Sequence, residues 1–161
     1  MDQFQQATKF VSAEQKKLLT DTQTIIKSLS QDHIHDYSFL VAPMAKAYEG
    51  YLKDFFLKIG IIDQEGYESD RFRVGKTLNP SLRYKRFSIF QKLIDLHPEG
   101  EALAEILWSA WKLGRNEIFH YFPNNLKQLT FAEAQERIDM VLKAIIKSGQ
   151  FINQYFTDFK S

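Results

Sequence analysis

The stretch Tyr37-Ser-Phe-Leu-Val-Ala-Pro-Met-Ala-Lys-Ala-Tyr-Glu-Gly-Tyr-Leu-Lys-Asp-Phe-Phe-Leu-Lys-Ile-Gly60 carries the clearest structural signal in the chain. Its apolar residues recur every three or four positions, which predicts an amphipathic helix spanning about 37 to 59. Gly60 is the expected stop of this helix, and Pro43 indicates either a kink or the true first turn. The residues of the apolar stripe are Leu40, Met44, Ala47, Tyr48, Tyr51, Leu52, Phe55 and Ile59.

Two capping-box sequences mark the starts of the first and last helices. They are Ser12-Ala-Glu-Gln15 and Thr130-Phe-Ala-Glu133. A connection is predicted between residues 61 and 80, in which Asn79 caps a helix that starts at Pro80. Taken together, the apolar periods predict five helices, at about 13–30, 37–59, 80–94, 101–120 and 130–159.

The helical pattern and the composition together predict a single all-α domain. With no strand signal and no internal repeat, we expect an antiparallel helical bundle of about five helices over residues 1–161. Apolar residues make up 44% of the chain and charged residues 25%, which excludes disordered and fibrous classes. No signal-peptide pattern and no run of about 18 apolar residues occurs, so we expect a soluble, cytoplasmic protein with no membrane partner.

The sequence contains no pattern of residues typical of a metal site. The absence of cysteine excludes disulfides and thiolate metal sites, and it fits a reducing compartment. His33 and His35 lie two positions apart with no third ligand nearby, whereas a structural zinc site needs four ligands. We therefore expect neither a metal nor another cofactor.

A basic stretch runs from Arg71 to Lys92, with seven basic residues and no acidic one, although the formal net charge of the chain is only +1. Aromatic residues such as Tyr84 lie between the basic ones. Basic side chains neutralise phosphates and rings stack on unpaired bases, so the stretch predicts an RNA-binding surface. The alternative is a third helix with charges on its solvated face and a core face formed by Leu82, Phe87, Phe90, Leu93 and Ile94. The predicted RNA-binding residues are Arg71, Arg73, Lys76, Arg83, Lys85, Arg86 and, from the fourth helix, Lys112.

The segment Arg115-Asn-Glu-Ile-Phe-His120 has the residue types that phosphodiester cleavage requires. Arginine offers a planar set of donors to phosphate oxygens, and histidine exchanges a proton near neutral pH. On an α-helical wheel centred on Leu107, Arg115 lies about 80° and His120 about 140° away on opposite sides. His120 is therefore expected on a polar stripe with Asn116 and Ser109. Arg115 and His120 would reach one phosphate only through the length of the arginine side chain or through bending at the helix end.

Glu49 lies at the border of the apolar stripe of the helix 37–59, beside Ala45 and Gly50. Its spacing favours a solvated carboxylate on the flank of the helix. A salt bridge to Lys53, one turn later, is the pairing that this spacing allows.

The Arg-x4-His spacing resembles the motif of the HEPN superfamily, a group of all-helical ribonucleases. In addition, residues 37–53 and 111–120 resemble two helices of the C-terminal toxin domain in the ribonuclease LS family. The resemblance implies that Arg115 and His120 are catalytic, that Asn116 accompanies them, and that Glu49 is the acidic residue of the site. It also implies homodimers. The resemblance does not extend to the N-terminal domains of that family, so its antitoxin and its RNA targets do not carry over.

These observations lead to two functional hypotheses. The first is a metal-independent endoribonuclease of a toxin–antitoxin or phage-defence system, with RNA and a cognate antitoxin protein as partners and 2′,3′-cyclic phosphate products. Because one His120 cannot serve as both base and acid in one step, a two-fold homodimer would supply the second. The second hypothesis is a non-catalytic HEPN-like module that binds nucleotide, RNA or a partner protein.

Overall fold

The computed structural model describes residues 2–29 and 34–156, and all regular secondary structure in these ranges is helical. The predicted all-α fold is thus confirmed, and the five predicted helices are the five longest of the described chain. His33 and Phe159 lie outside the described residues. The α-helices are α1 (Gln3–Ala7), α2 (Ala13–Ser28), α3 (Ser38–Lys58), α4 (Gln64–Glu68), α5 (Val74–Thr77), α6 (Ile89–Leu96), α7 (Gly100–Trp111) and α8 (Phe131–Tyr155).

The predicted helix ends are largely confirmed. Ser12 Oγ accepts a hydrogen bond from the Gln15 amide at 3.2 Å, and the Gln15 side chain accepts one from the Ser12 amide at 2.9 Å. The same reciprocal capping box opens α8 at Thr130. After α3 the chain turns at Gly60, whose φ of 73° favours glycine. Pro43 lies in the second turn of α3 and not in its first, because the helix already begins at Ser38.

Helix α3 lies at the centre of the bundle, where it packs against α2, α8 and the segment that follows α7. Two of its tyrosines are buried and reach neighbouring helices with their hydroxyl groups. Tyr48 donates to the Leu107 carbonyl at 3.0 Å, and Tyr51 donates to the Ile145 carbonyl at 3.2 Å. Burial raises the pKa of both hydroxyls, so they remain protonated donors that join α3 to α7 and α8.

The bundle contains both antiparallel and parallel pairs of helices. The start of α2 meets the end of α3 through a hydrogen bond of 2.6 Å from Gln15 Nε2 to Asp54 Oδ2, so these two helices are antiparallel as predicted. Helices α3 and α8 run in the same direction, since the Tyr37 amide bonds to the Leu129 carbonyl near the start of both. Within the described ranges, no helix combines the length and the apolar character needed to cross a membrane.

The third helix is shorter than predicted. Helix α6 begins only at Ile89, because Ser88 caps it by accepting a hydrogen bond from the Gln91 amide at 3.1 Å. Asn79 does cap a turn at Pro80, as predicted, but that turn is a 3₁₀ helix ending at Leu82. The predicted helix is therefore divided in two by a segment of irregular backbone.

The fourth helix differs most from its prediction. Helix α7 ends at Trp111 and is followed by a π-helical turn, Lys112–Asn116, and a 3₁₀ turn, Glu117–Phe119. The π turn packs tightly against α8 at Gly114, where a Cβ atom would lie 2.5 Å from Val141 Cγ2. The backbone approaches α8 more closely than a side chain would allow. The α-helical wheel therefore does not apply beyond Trp111.

Gly114→Ala is expected to lower the free energy of unfolding by about 1–2 kcal/mol. The new methyl group would meet Val141, which is fully buried and stiff at χ1, so it cannot rotate away. Val141→Ala removes the clashing methyl group, so the double variant should lose less stability than the sum of the two single losses. Urea denaturation of all four proteins measures this, and strictly additive losses would contradict the close contact.

Asp36 joins the start of α3 to the segment before α8. Its Oδ1 accepts hydrogen bonds from the Ser38 amide at 2.9 Å and the Leu129 amide at 3.2 Å, and Oδ2 accepts one from Asn125 Nδ2 at 3.1 Å. Burial opposes ionisation of this carboxyl, but the hydrogen bonds outweigh burial and lower its pKa. The carboxylate therefore stabilises the folded state.

Asp36→Asn is expected to lower the free energy of unfolding by about 1 kcal/mol at pH 7, because an amide NH₂ replaces one acceptor oxygen of a partly exposed carboxylate. The pKa of Asp36 is lower in the folded than in the unfolded chain. The contribution of the carboxylate to stability is thus complete above its pKa in the unfolded chain, about 3.9. It is lost as the pH falls through its pKa in the folded protein. Urea denaturation at pH 7 and pH 3 should show the difference between the two proteins shrinking at pH 3. Asp139→Asn, on the exposed side of α8, is the matched control.

Candidate active site

An ion pair between Glu49 and Arg115 lies where α3 meets the π turn. Arg115 Nε and Nη2 both lie 3.2 Å from Glu49 Oε2, and the two side chains are 30% and 36% exposed. At this exposure the pair contributes at most about 1 kcal/mol to stability. Its main effect is to orient the guanidinium. Two of the four predicted catalytic residues are thus in contact, and Glu49 pairs with Arg115 rather than with Lys53.

Two aromatic rings flank the same guanidinium. The Cζ atom of Arg115 lies 5.0 Å from the ring centre of Trp111 and 5.4 Å from that of Phe119. Trp111 is buried, whereas Phe119 is 53% exposed. Both distances are within the range of cation–π attraction. Neither ring is among the site residues predicted from the sequence, although an aromatic residue four positions on either side of the arginine was a usable signal.

Beside the ion pair lies an open groove between α2 and α3 of about 750 Å³. Its walls are mainly apolar, and Arg115 and Phe119 close one end. Glu49 contributes its carboxylate from α3. The charged residues Asp21 and Lys46 also line it. A volume of this size lies within the range of about 300–1,000 Å³ that is typical of small-molecule sites.

His120 does not line this groove. The chain leaves the 3₁₀ turn at His120 with extended backbone, φ −110° and ψ 130°, and the side chain is exposed. Within residues 2–29 and 34–156 it makes no hydrogen bond and no ion pair. Asn116 is half-buried at the end of the π turn and also lies outside the groove lining. The structure therefore brings Arg115 and Glu49 together at the groove, and His120 and Asn116 do not line it.

The predicted polar stripe through Ser109, Asn116 and His120 is not a continuous helix face. Its first member lies on α7, the second lies in the π turn, and His120 follows the last helical turn. A π turn holds more residues than an α turn, so side chains beyond it are rotated relative to an α-helical wheel. The predicted angle between Arg115 and His120 assumed an α-helix that continues to residue 120, and that assumption was wrong.

Glu117 holds the segment after α7 in place, a role that the sequence did not reveal. Its carboxylate lies 2.6 Å from Lys127 Nζ and 3.9 Å from Arg137 Nη2, and only 12% of the side chain is exposed. These partners come from the following loop and from α8. Because they lie 10 and 20 positions away, no local spacing could have indicated them.

The second half of the basic stretch, with Arg83, Lys85 and Arg86, lines a second cavity of about 650 Å³, whereas Arg71, Arg73 and Lys76 do not line it. The predicted RNA-binding residues of this stretch are all exposed, and Lys112 is exposed in the π turn. Tyr84 is 76% exposed and lies 5.3 Å from Lys85 Nζ, and Phe87 is 39% exposed. The alternative of a core helix face is thus wrong for Phe87. It is right for two other residues of that set, Phe90 and Leu93, which are buried.

Arg83→Glu combined with Arg86→Glu is expected to weaken RNA binding and to flatten its dependence on salt. Each lost phosphate contact removes about 0.7 from the slope of log K against log salt for a single strand. Both residues line the basic cavity and are exposed, so the fold should be unaffected. Filter binding over a range of KCl concentrations measures the slope. An unchanged slope and affinity would mean that RNA does not contact this surface.

The described residues contain no group of three or more histidine, cysteine, aspartate or glutamate side chains placed to hold a metal ion. Comparison of the chain with protein-family models, with curated proteins and with solved structures gave no match. Its function is therefore inferred from its own residues and their geometry.

Proposed function

We propose that this chain is an endoribonuclease of the HEPN type, with Arg115 and His120 as its catalytic residues. The observation that carries the proposal is the ion pair of Glu49 with Arg115. The two residues are 66 positions apart, both are predicted site residues, and the fold brings them within 3.2 Å. The π turn at the arginine supports the same assignment, because such turns are rare and frequently occur at functional sites.

The chemistry assigns a role to each group. The 2′-hydroxyl of one nucleotide attacks the phosphorus of the 3′-phosphate on the same ribose. The bond from that phosphorus to the 5′-oxygen of the following nucleotide breaks. A base takes the 2′-hydroxyl proton, an acid protonates the 5′-oxygen, and positive charge stabilises the non-bridging oxygens. Arg115 supplies that charge, because Nε and Nη2 face Glu49 and the Nη1 donors remain for the phosphate. The products are a 2′,3′-cyclic phosphate and a 5′-hydroxyl.

In the proposed reaction, His120 moves a proton. Its imidazole is exposed and unpaired in the part of the chain that the structure describes, so a substrate can approach it directly. One ring serves as base or as acid in a single step, but not as both. A two-fold homodimer supplies the second ring, because an isologous interface places two copies of one residue opposite each other. The proposed assembly is therefore a dimer with His120 near its axis.

Cleavage of RNA in the presence of EDTA tests the proposal. We expect purified protein to produce fragments with 2′,3′-cyclic phosphate and 5′-hydroxyl ends, since arginine and histidine provide the charge and the proton transfer. End-group analysis by mass spectrometry distinguishes these products from the 5′-phosphate products of most metal-dependent nucleases. Intact RNA under these conditions would refute the nuclease assignment.

The proposed biological setting is a cytoplasmic toxin–antitoxin or phage-defence system. An active ribonuclease of this kind should arrest growth when it is expressed without a cognate antitoxin. His120→Ala should restore growth, whereas a variant such as His35→Ala, at an exposed histidine far along the chain from the site, should not.

A second candidate function is a non-catalytic module that binds RNA, nucleotide or a partner protein. It is favoured by one specific observation: His120 lies outside the groove that Arg115 and Glu49 line. The two functions differ in their products. Binding of RNA by both wild-type protein and His120→Ala, without cleavage by either, would establish the binding module.

A further inference from the structure

The groove between α2 and α3 contains residues that the proposed reaction does not use. Arg115 lies at one end of it, and the apolar side chains of Ile25 and Phe39 line it farther along. Asp21 and Lys46 bring one negative and one positive group to the walls. An RNA strand whose phosphate lies at Arg115 would have a neighbouring nucleotide at this opening. The groove is therefore placed to receive a part of the substrate other than the reacting phosphate.

The aromatic rings of the groove suit a flat ligand. Phe39 is 43% exposed and Phe119 is 53% exposed, so both rings are accessible to a ligand in the groove. Stacking on such rings is the main way in which proteins hold unpaired bases, and it contributes to the affinity for any base. The cavity of about 750 Å³ is large enough for a nucleotide. Size and rings together favour a nucleobase over a second phosphate.

The two charged residues on the walls indicate which base fits. Asp21 and Lys46 are exposed, and neither side chain makes a hydrogen bond or an ion pair with any other described residue. A carboxylate only accepts hydrogen bonds, and its two oxygens match two adjacent donors. Among the four RNA bases, guanine alone presents adjacent donors, N1–H and N2–H₂. Its O6 and N7 are the acceptors to which lysine and arginine bind.

We propose that this groove binds an unpaired guanine base of the RNA strand, with Asp21 accepting from N1–H and N2–H₂ and Lys46 donating to O6. The proposal rests on the proposed function, because it places the base next to a phosphate held by Arg115. It names a sequence preference that the Arg115–His120 pair alone does not provide. The ring of Phe119 stacks on the base and thereby separates it from the reacting phosphate.

Binding to protein carrying His120→Ala tests the proposal without cutting the RNA. The probes are fluorescently labelled pentauridylates in which the central base is uracil, guanine, adenine or cytosine. We expect the guanine probe to bind at least about tenfold more tightly than the others, the discrimination typical of a bidentate base contact. Asp21→Asn should remove this preference, and Asp139→Asn, the matched exposed aspartate on α8, should retain it. Phe119→Ala should weaken all four probes by about fivefold or more.

Equal affinity for all four probes, or a guanine preference that survives in Asp21→Asn, would overturn the proposal. GMP and AMP are measured in parallel, since a free nucleotide presents the same base. A guanine preference for the mononucleotide but not for the pentamer would overturn the assignment to RNA. If guanine binds through Asp21 but wild-type protein never cleaves, the nuclease function fails and the base site stands. Cleavage by a protein that shows no guanine preference would refute the guanine site and leave the nuclease function standing.

Discussion

His120→Ala is expected to lower the rate of RNA cleavage by about 10²- to 10⁴-fold, the range that a positioned acid or base contributes. Stability should change by less than about 0.5 kcal/mol, because the side chain is exposed and has no bonding partner among the described residues. Single-turnover cleavage of a labelled RNA measures the rate, and urea denaturation measures the stability. A large loss of rate with unchanged stability separates a catalytic role from a structural one.

The matched control for this variant is His35→Ala, which removes an exposed histidine outside the candidate site. We expect it to cleave RNA at the wild-type rate. RNA affinity should also be similar in both variants, since the phosphate is held by Arg115 and the basic surface and not by His120. If His120→Ala retained cleavage within about twofold, proton transfer would have to be assigned to another group, and the proposed mechanism would be wrong.

Much of the fold could be predicted because its signals are local. The capping boxes at Ser12 and Thr130 each depend on residues three positions apart, and both formed as predicted. The apolar period of α3 depends only on helical spacing, so its buried face was also predictable. The boundary between the turn at Pro80 and α6 was missed. The spacing of the apolar residues is compatible both with a continuous helix and with a new helix capped by Ser88, so it does not distinguish the two.

The candidate site was only half predictable for a related physical reason. Arg115 and Glu49 were both identified, but Arg115 lies in a π turn that also contains Gly114, where the chain approaches Val141 too closely for a side chain. That approach is a tertiary contact, and a wheel with a constant angle per residue cannot represent it. The same turn explains why the predicted polar stripe through His120 did not form. Exposure of Tyr84 was equally unpredictable, since aromatic residues are more often buried than exposed.

Mixing protein carrying Arg115→Ala with protein carrying His120→Ala is expected to restore cleavage that neither variant shows alone. A heterodimer keeps one Arg115 and one His120 at the shared cleft, whereas each variant homodimer lacks one of the two residue types entirely. Statistical exchange makes about half of the dimers heterodimers, and the missing second ring leaves one proton transfer to water, so cleavage should exceed that of either variant alone but stay well below half of wild type. Cleavage is measured after the two proteins have exchanged subunits, with each variant alone as the control.

The position of His120 outside the groove of Arg115 and Glu49 gives this experiment its physical basis. Within one protomer, His120 does not line the groove that Arg115 lines, and in the proposed dimer the second protomer brings its own His120 to the open side of that groove. The prediction also requires that activity falls when dilution separates the dimer. Full activity at concentrations where light scattering detects only monomer would contradict the composite site, and Arg115 and His120 of one chain would then have to act on one phosphate without a partner.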